Sequence, residues 1–325
     1  MRYLASRLLQ MLLVLWVVAT LLFLMFRLMP ADPTSAFIDP TFTMEQQEQM
    51  RAAFGLDKPL WQQYLIYFAN LARGEFGQSF FQQRPVLEIL LSALPNTLVL
   101  TVSALLLAYL FGVLAGAWLA WKRGSRVEAA AVPAVLTVRA APEFWLGMIL
   151  LAVFGFGLGW FPSGGANSAG ARFDSELARI LSLDFLAHMA LPCLTLALYL
   201  QGLPLLLMRS TMLEVMQEDY VTMARMKGLP ESRIVLRHAA RNALLPVVTA
   251  FALGLGATVG GNVVVESVFS WPGLGRVLVT AVAASDYPLA QGAFLLITVV
   301  LVVMNFIADL LYSVLDPRVT HGARG

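Results

Sequence analysis

Residues that could do covalent chemistry are few in this chain of 325 residues, and they are not grouped. The three histidines are scattered without metal-ligand spacing, and the one cysteine, Cys193, cannot form an internal disulfide. The sequence contains no Gly-x-x-x-x-Gly-Lys-Ser/Thr phosphate loop, no His-Glu-x-x-His and no Gly-x-Ser-x-Gly. We therefore expect no catalytic residue, no cofactor site and no metal site, and the chain is not expected to be an enzyme.

The composition indicates where the chain resides. It is 59% hydrophobic and only 13% charged, whereas soluble domains are usually about 45–50% apolar and about 25% charged. So few charges cannot cover the surface of a soluble protein of this length, so the chain is predicted to be a polytopic membrane protein.

Six apolar segments approach or exceed the length of about 20 residues that crosses a hydrocarbon core. They are, approximately, 8–26, 96–121, 129–154, 185–208, 244–265 and 288–308. The second is expected to begin at Asn96, because Pro95-Asn96-Thr97 resembles a helix start. The predicted fold is therefore an all-α membrane protein with six transmembrane helices.

The basic residues predict the orientation of these spans. With the N-terminus in the cytoplasm, 13 of the 22 Lys and Arg residues lie in four short inner segments, namely 1–7, 122–128, 209–241 and 316–325. Both termini are therefore expected to be cytoplasmic. The predicted organisation is an N-terminal helix in 1–30, an outer subdomain in 31–95, a five-helix core in 96–315 and a cytoplasmic tail in 316–325.

The outer subdomain is predicted to be folded. Thr43 with Gln46 fits a capping box, and Gly55 fits a helix stop. A second helix is expected after Pro59, where five apolar residues repeat at helical spacing: Trp61, Tyr64, Leu65, Phe68 and Ala69.

The inner segment 209–241 is polar, basic and patterned. Arg233, Arg237 and Arg241 recur every four residues, which predicts one basic stripe. Gly228 interrupts the helical pattern, and Pro230 stands where a short second helix can begin. We expect a helix, a glycine turn, a short helix and then the fifth span.

This segment also carries a resemblance to a known family. Residues 219–229, DYVTMARMKGL, followed by 241–246, RNALLP, resemble the EAA loop of ABC-importer permeases, in the version of the dipeptide/oligopeptide/nickel family, B-type subunit. Thr222 and Met223 replace the Glu-Ala that opens the general motif, as in the peptide-family version. Further pieces that are similar to that family occur in order along nearly the whole chain, at 2–9, 27–33, 55–59, 74–79, 160–165, 269–275 and 315–318.

The resemblance implies a type I importer permease that is driven by separate ATPases. The implied partners are two ATP-binding subunits or domains, a second homologous permease, an extracytoplasmic substrate-binding protein and membrane lipid, with no nucleic acid. ATP and Mg would be bound by the partner ATPases. The residues implied in ATPase coupling are Asp219, Ala224, Arg225, Lys227, Gly228, Leu229, Arg233 and Arg237. In that role Gly228 forms the turn, Ala224 permits close approach and the basic side chains pair with acids on the ATPase. A purely topological role for each base, through the positive-inside rule, is the alternative.

Three acidic or basic residues are candidates for the translocation path. Arg139 and Glu143 lie four residues apart inside the third span, where a charge costs about 2.5–3.5 kcal/mol. They are expected to line the path or to form a structural ion pair, or Arg139 lies close enough to the interface for its long side chain to reach the headgroup layer. Glu266, with Asp286, brackets the last outer loop and is expected to face the pore mouth or a docked protein, or to belong to a plain solvated loop.

Several alternatives remain open at this point. Gly112-x-x-x-Gly116 and Gly256-x-x-x-Gly260 are expected to permit close helix packing and to bind no ligand. Peptides are the cargo that the resemblance favours, with nickel, other metal chelates and other small solutes as alternatives. An ion-coupled secondary transporter is a more distant possibility, because clear inverted repeats and sufficient buried carboxylates are lacking.

Overall fold

The structure is a computed structural model that describes residues 2–28, 58–259 and 262–315. Regular structure in these ranges is helical, apart from one antiparallel bridge between Gln78 and Pro85. The predicted capping box at Thr43, the helix stop at Gly55 and the tail 316–325 lie outside the described residues.

In the part of the chain that the structure describes, four apolar helical segments are long enough to cross a membrane: Ser6–Arg27, Val86–Trp121, Leu183–Val215 and Tyr287–Leu310. A fifth span is possible if two bent helices, Arg126–Ala140 and Glu143–Gly157, count as one. The predicted fifth span corresponds to helix Ala240–Val259 and helix Val263–Val268, with two undescribed residues between them. The chain is thus an all-helical membrane protein, as predicted, and the count of six is approximate.

The start of the second span was predicted wrongly. Helix α3 begins at Val86 and runs to Trp121, with Pro95 inside it. Asn96 and Thr97 do not cap a helix. The Asn96 side-chain amide donates to the Pro272 carbonyl oxygen at 2.8 Å, and the Thr97 hydroxyl accepts from the Leu274 backbone N–H at 2.8 Å. Asn96 and Thr97 therefore resemble a helix start in the sequence, but in the structure they bind residues that are distant in the chain.

The third span is not a single straight helix. Helix α4 (Arg126–Ala140) and helix α5 (Glu143–Leu150, continued by π-helical turns Leu151–Gly157) meet at an angle of 104°. Pro142 disfavours helical geometry at the residue before it, and Ala141 is accordingly extended, with φ −72° and ψ 141°. The predicted third span, about 129–154, therefore corresponds to two helices with a sharp bend between them.

Close contacts divide the chain into two units. The first contains the described parts of Met1–Thr97 and Pro272–Val303. Its elements are α1 (Arg2–Arg27), α2 (Leu60–Arg73), the start of α3, the helix Leu274–Ala283 and the start of the helix Tyr287–Leu315. The helix predicted after Pro59 is confirmed, and it ends at Gly74 in a left-handed conformation, with φ 76°.

Asp286 forms hydrogen bonds to the segment before α3, at residues 79–81, and to the start of the last helix. Its carboxylate accepts hydrogen bonds from the Ser79 hydroxyl, from the Phe81 N–H at 3.1 Å and from the Leu289 N–H at 3.3 Å. The residue is 1% exposed. Asp286 thus caps the last helix and holds residues 79–81, which contradicts the expectation of a solvated loop at this position.

The second unit contains Leu98–Trp271 and the described part of Met304–Gly325. Besides α4 and α5 it includes α6 (Glu176–Ile180), α7 (Leu183–Leu200) and α8 (Gly202–Val215). Cys193 is buried in its core beside Leu196, as expected for a small apolar residue. Gly112 and Gly116 of α3 pack against α8, as predicted: a Cβ added at Gly112 would lie 2.9 Å from the Gln201 carbonyl oxygen, and one added at Gly116 would overlap the Leu205 carbonyl oxygen. For Gly256 and Gly260 the surroundings are not described.

Candidate functional site

The segment 219–241 folds as a helical hairpin, called here the basic hairpin. Helix α9 (Asp219–Met226) is followed by a turn and by α10 (Glu231–Arg233), with Pro230 directly before it as predicted. π-Helical turns Ile234–Ala239 join α10 to α11 (Ala240–Val259) without a break. The expected short second helix is therefore the first part of a helix that continues into the apolar region.

Gly228 forms the turn of the basic hairpin. Its φ is 73°, a left-handed conformation that other L-residues adopt at a cost of about 1–2 kcal/mol. Its N–H donates to the Arg225 carbonyl oxygen at 2.9 Å, and the Leu229 N–H donates to that of Ala224 at 3.3 Å. Among the described residues, nothing lies within 4 Å of the position that a Cβ would take, apart from the neighbours in the chain. The turn is thus strained for any side chain but open on its outer face.

The inner face of the hairpin is a small apolar core. Val221, Ala224 and Ile234 are buried together, and Leu229 packs beside them half-buried. Ala224 is 6% exposed. The small side chain of Ala224 lets the two arms of the hairpin approach each other closely. It is therefore not part of the surface that could contact another protein.

Two polar contacts fix the hairpin further. The Arg225 guanidinium donates to the Glu231 carboxylate across the turn at 3.0 Å, and this hydrogen bond raises the pKa of Arg225 above its usual value. The Asn242 side-chain amide donates to the Tyr220 hydroxyl at 2.7 Å, which ties α9 to α11. Arg225, expected to pair with an acid on the ATPase, thus has a partner within its own chain. An exposed pair of this kind contributes about 0–1 kcal/mol.

The outer face combines charge with exposed apolar side chains. Asp219, Lys227, Arg233, Arg237 and Arg241 are all exposed, although the π-helical turns alter the even spacing of the arginines. Large apolar residues lie between them, and their exposed fractions are 62% for Met223, 81% for Met226 and 72% for Leu236. Flexible methionine side chains beside cations form a surface suited to a protein partner that is acidic and has apolar hollows.

Arg139 and Glu143 are separated by the bend between α4 and α5. Arg139 precedes the bend and Glu143 is the first residue after it, so the predicted shared helix face does not exist. Among the described residues no ion pair joins them. Arg139 is exposed and lines a cavity of about 230 Å³ with Tyr109 and Tyr199.

The side chain of Arg139 packs against Gly202, where the absence of a Cβ leaves space for it. An added Cβ at Gly202 would lie 3.1 Å from Cδ of Arg139, so the aliphatic stem of the arginine passes directly over this glycine. Arg139 stands 13 residues after Arg126, or about 20 Å along the helix axis. Arg139 thus lies at the far end of α4 from Arg126, next to the bend that follows Ala140.

Glu266 is wholly buried in helix α12 (Val263–Val268), with 0% exposure. Its carbonyl oxygen accepts the Trp271 N–H at 2.8 Å, and Trp271 is itself buried against the Phe185 ring at 5.2 Å between centroids. The alternative of a plain solvated loop at Glu266 is therefore wrong.

Comparison with known proteins assigns the family. The model for "Binding-protein-dependent transport system inner membrane component" matches residues 112–321, which include the basic hairpin. The chain belongs to this family. The model of the corresponding N-terminal region matches residues 1–101.

Curated relatives of this permease match it over nearly its whole length. It is 38% identical to a di/tripeptide transport system permease protein of Pseudomonas aeruginosa, over 94% of each chain. It is 35% identical to an oligopeptide permease protein of Bacillus subtilis, over 98% of this chain and 99% of the relative. It is also 35% identical to a glutathione permease protein of Escherichia coli, over 99% of each. The suspected resemblance is confirmed, and the chain is a membrane permease subunit rather than an enzyme.

The sequence analysis did not predict one ion pair of the permease, between Arg209 and Glu128. Arg209 of α8 donates through Nε to the Glu128 carboxylate of α4 at 2.9 Å, and Glu128 also accepts the Gly124 N–H at 2.6 Å. The Ser125 hydroxyl accepts the Glu128 N–H at 3.2 Å. The spacing Ser125-x-x-Glu128 is a capping-box signal that marks this helix start. Arg209 was counted only as an inner positive charge, whereas it joins the ends of two spans.

Proposed function

We propose that this permease is the membrane channel subunit of an ATP-driven importer whose cargo is a short peptide. The observation that supports coupling to an ATPase is the continuity of the basic hairpin with α11. A force on the hairpin would reach the apolar region through one helical rod and not through a flexible loop. The peptide cargo is inferred from the relatives, which are di/tripeptide, oligopeptide and glutathione transport permeases.

The assembly proposed is one copy of this chain with a second homologous permease, two ATP-binding subunits or domains and an extracytoplasmic binding protein. ATP and Mg bind only to the ATPases, and the assembled complex hydrolyses ATP. Both termini are cytoplasmic, which the bias of basic residues supports. Coupling uses the exposed outer face of the hairpin, namely Asp219, Lys227, Arg233 and Arg237 around the Gly228 turn. Ala224, Leu229 and the Arg225–Glu231 pair support that face from within.

The complex reconstituted in proteoliposomes with its own ATPase and binding-protein partners tests this function. Short peptides are expected to be retained by the binding protein, identified by mass spectrometry, and to enter the vesicles only with ATP. Retention and import of a nickel or other metal chelate in their place would contradict the peptide assignment. Import driven by an ion gradient without ATP would contradict the importer class.

Arg139 is proposed to line the translocation path. A guanidinium in an apolar span, without an ion pair among the described residues, is stable where it meets water or an anion, and Arg139 lines a cavity beside the bend of the third span. We expect Arg139→Gln to lower ATP-dependent peptide uptake about tenfold, since a hydrogen bond to a charged group contributes about 1.5–3 kcal/mol. Initial uptake rates in proteoliposomes measure this effect.

Arg126→Gln is the matched control for Arg139→Gln. Arg126 is an exposed arginine that begins the same helix but lies outside the cavity. Its substitution is expected to leave uptake within about twofold, because an exposed surface charge contributes little. Equal uptake by the two variants would show that Arg139 has no role in the path.

A further inference from the structure

A second cavity lies within the first unit, apart from the basic hairpin and from Arg139. Its volume is about 210 Å³, and it is bounded by the end of α1, one face of α2, residues 75–80 and the start of helix Tyr287–Leu315. About half of its wall is apolar, and much of that is aromatic, including Phe26, Tyr67 and Phe76. The proposed transport function assigns no role to this cavity.

Two buried polar atoms in the cavity wall lack partners among the described residues. Gln63 is only 8% exposed; its Nε2 donates to the Lys58 carbonyl oxygen at 2.7 Å, but its Oε1 accepts nothing. The Tyr67 hydroxyl, one turn further along α2, is also buried without a hydrogen bond. Buried polar groups in proteins are nearly always paired. A ligand in this cavity that donates a hydrogen bond to Gln63 Oε1 would therefore be favoured.

Burial of Tyr67 determines the protonation state of its hydroxyl. Burial raises the pKa of Tyr67 to about 12, and Gln291 on the opposite wall lowers this pKa slightly without reaching good hydrogen-bond geometry. The hydroxyl thus keeps its proton at neutral pH.

Charges of both signs also border the cavity. Arg27 is the last residue of the apolar span Ser6–Arg27, and Glu75 lies in the loop after α2. An arginine that ends an apolar span lies at the level of the lipid headgroups. The cavity is therefore placed at a membrane surface.

The exposed side of α2 also carries residues that are typical of a membrane surface. Leu60, Trp61 and Leu65 are 50%, 63% and 59% exposed. Tryptophan and leucine on an exposed face beside a polar site are typical of a helix that lies in the headgroup layer. Acyl chains can cover this face while a headgroup enters the cavity.

We propose that this cavity binds the headgroup of a phospholipid that carries both a phosphate and a primary ammonium, as phosphatidylethanolamine does. Arg27 matches the phosphate, Glu75 attracts the ammonium, and the ammonium N–H groups donate to Gln63 Oε1 and to the Tyr67 hydroxyl oxygen, which both lack a partner among the described residues. A trimethylammonium headgroup has the same charges but no N–H, so phosphatidylcholine leaves Gln63 unpaired. The preference between these two lipids is the direct consequence of the geometry.

The test measures lipid retention by the purified full complex. Complexes are exchanged into micelles with phosphatidylethanolamine or phosphatidylcholine of identical acyl chains, and tightly bound lipid is counted by native mass spectrometry. The wild type is expected to retain one phosphatidylethanolamine at this site about two- to tenfold more strongly than phosphatidylcholine, the effect of one hydrogen bond. Gln63→Met and Tyr67→Phe are each expected to remove most of this preference.

Gln62→Met is the matched control, because Gln62 is the neighbouring glutamine of α2 and does not line the cavity. It should keep the wild-type preference. Should Gln63→Met fail to fold, Tyr67→Phe alone decides, since it removes a single oxygen. Equal retention of both lipids by the wild type, or an unchanged preference in Tyr67→Phe, would overturn the proposal and assign water to the cavity. Lipid retention is read without ATP, so failure of the importer assignment leaves this result intact.

Discussion

Gly228→Asp is expected to abolish the ATP hydrolysis that cargo-loaded binding protein stimulates, while the permease still inserts and folds. Asp tolerates left-handed backbone better than most residues, so the turn at φ 73° survives with a strain of about 1–2 kcal/mol at most. The new carboxylate, however, projects from the tip of the basic hairpin into space that this chain leaves open. In the proposed complex that space belongs to the ATPase, which meets both a steric obstacle and a negative charge on a basic surface. ATPase rates of the reconstituted complex, with and without loaded binding protein, measure the effect.

Gly170→Asp provides the comparison that separates backbone strain from loss of contact. Gly170 also has a left-handed backbone, with φ 84°, and also has nothing within 4 Å of an added Cβ. It lies in the loop before α6, distant in sequence from the hairpin. It should therefore show the same small loss of stability and normal stimulated hydrolysis. Wild-type stimulation of Gly228→Asp, or equal loss in both variants, would refute the coupling role of the turn.

Sequence patterns predicted the apolar helices and the hairpin because their signals are local. Apolar runs of sufficient length predicted the first and last spans. Gly228 and Pro230 predicted the turn and the start of the next helix. Each of these signals acts within a few residues through chain geometry. No distant partner is needed for them to operate.

Prolines show where local reasoning fails. Pro95 lies inside a continuous helix, whereas Pro142 follows an extended Ala141 at a sharp bend. Both residues lack an N–H and both restrict the residue before them. Near Pro95, Asn96 and Thr97 bind groups more than 170 positions away in the chain, at Pro272 and Leu274. Only the tertiary structure shows which proline ends a helix.

Charged residues show the same limit in the functional regions. Arg225 was assigned to a partner protein by analogy with its family, but Glu231, six residues away across the turn, accepts its hydrogen bonds. Glu266 was placed near a loop and is buried. The sequence indicates that a charge is present, whereas its burial and its partner depend on how helices pack. The outward-facing members of the hairpin are consequently fewer than the family motif suggests.

Gly116→Ala is expected to destabilise the permease by about 1–3 kcal/mol, because overpacking at this site cannot be relieved by a change of rotamer. An alanine Cβ would overlap the Leu205 carbonyl oxygen and would lie 3.0 Å from Cβ of Met208. Both are fixed parts of α8, so α3 and α8 must separate or bend. The melting temperature of the purified protein in detergent, followed by tryptophan fluorescence, is expected to fall.

Gly254→Ala makes the same chemical change in another apolar helix, α11. There the nearest atom, the Tyr109 hydroxyl oxygen, would lie 3.4 Å from the new Cβ, an ordinary contact. Alanine is favoured over glycine in a helix by about 1 kcal/mol, so this variant should melt at or above the wild-type temperature. A loss at Gly116 with none at Gly254 would locate the effect in the approach of α3 to α8. If Gly116→Ala melts no lower than Gly254→Ala, that packing is looser than the structure shows, and the Gly-x-x-x-Gly spacing at 112 and 116 has no packing role.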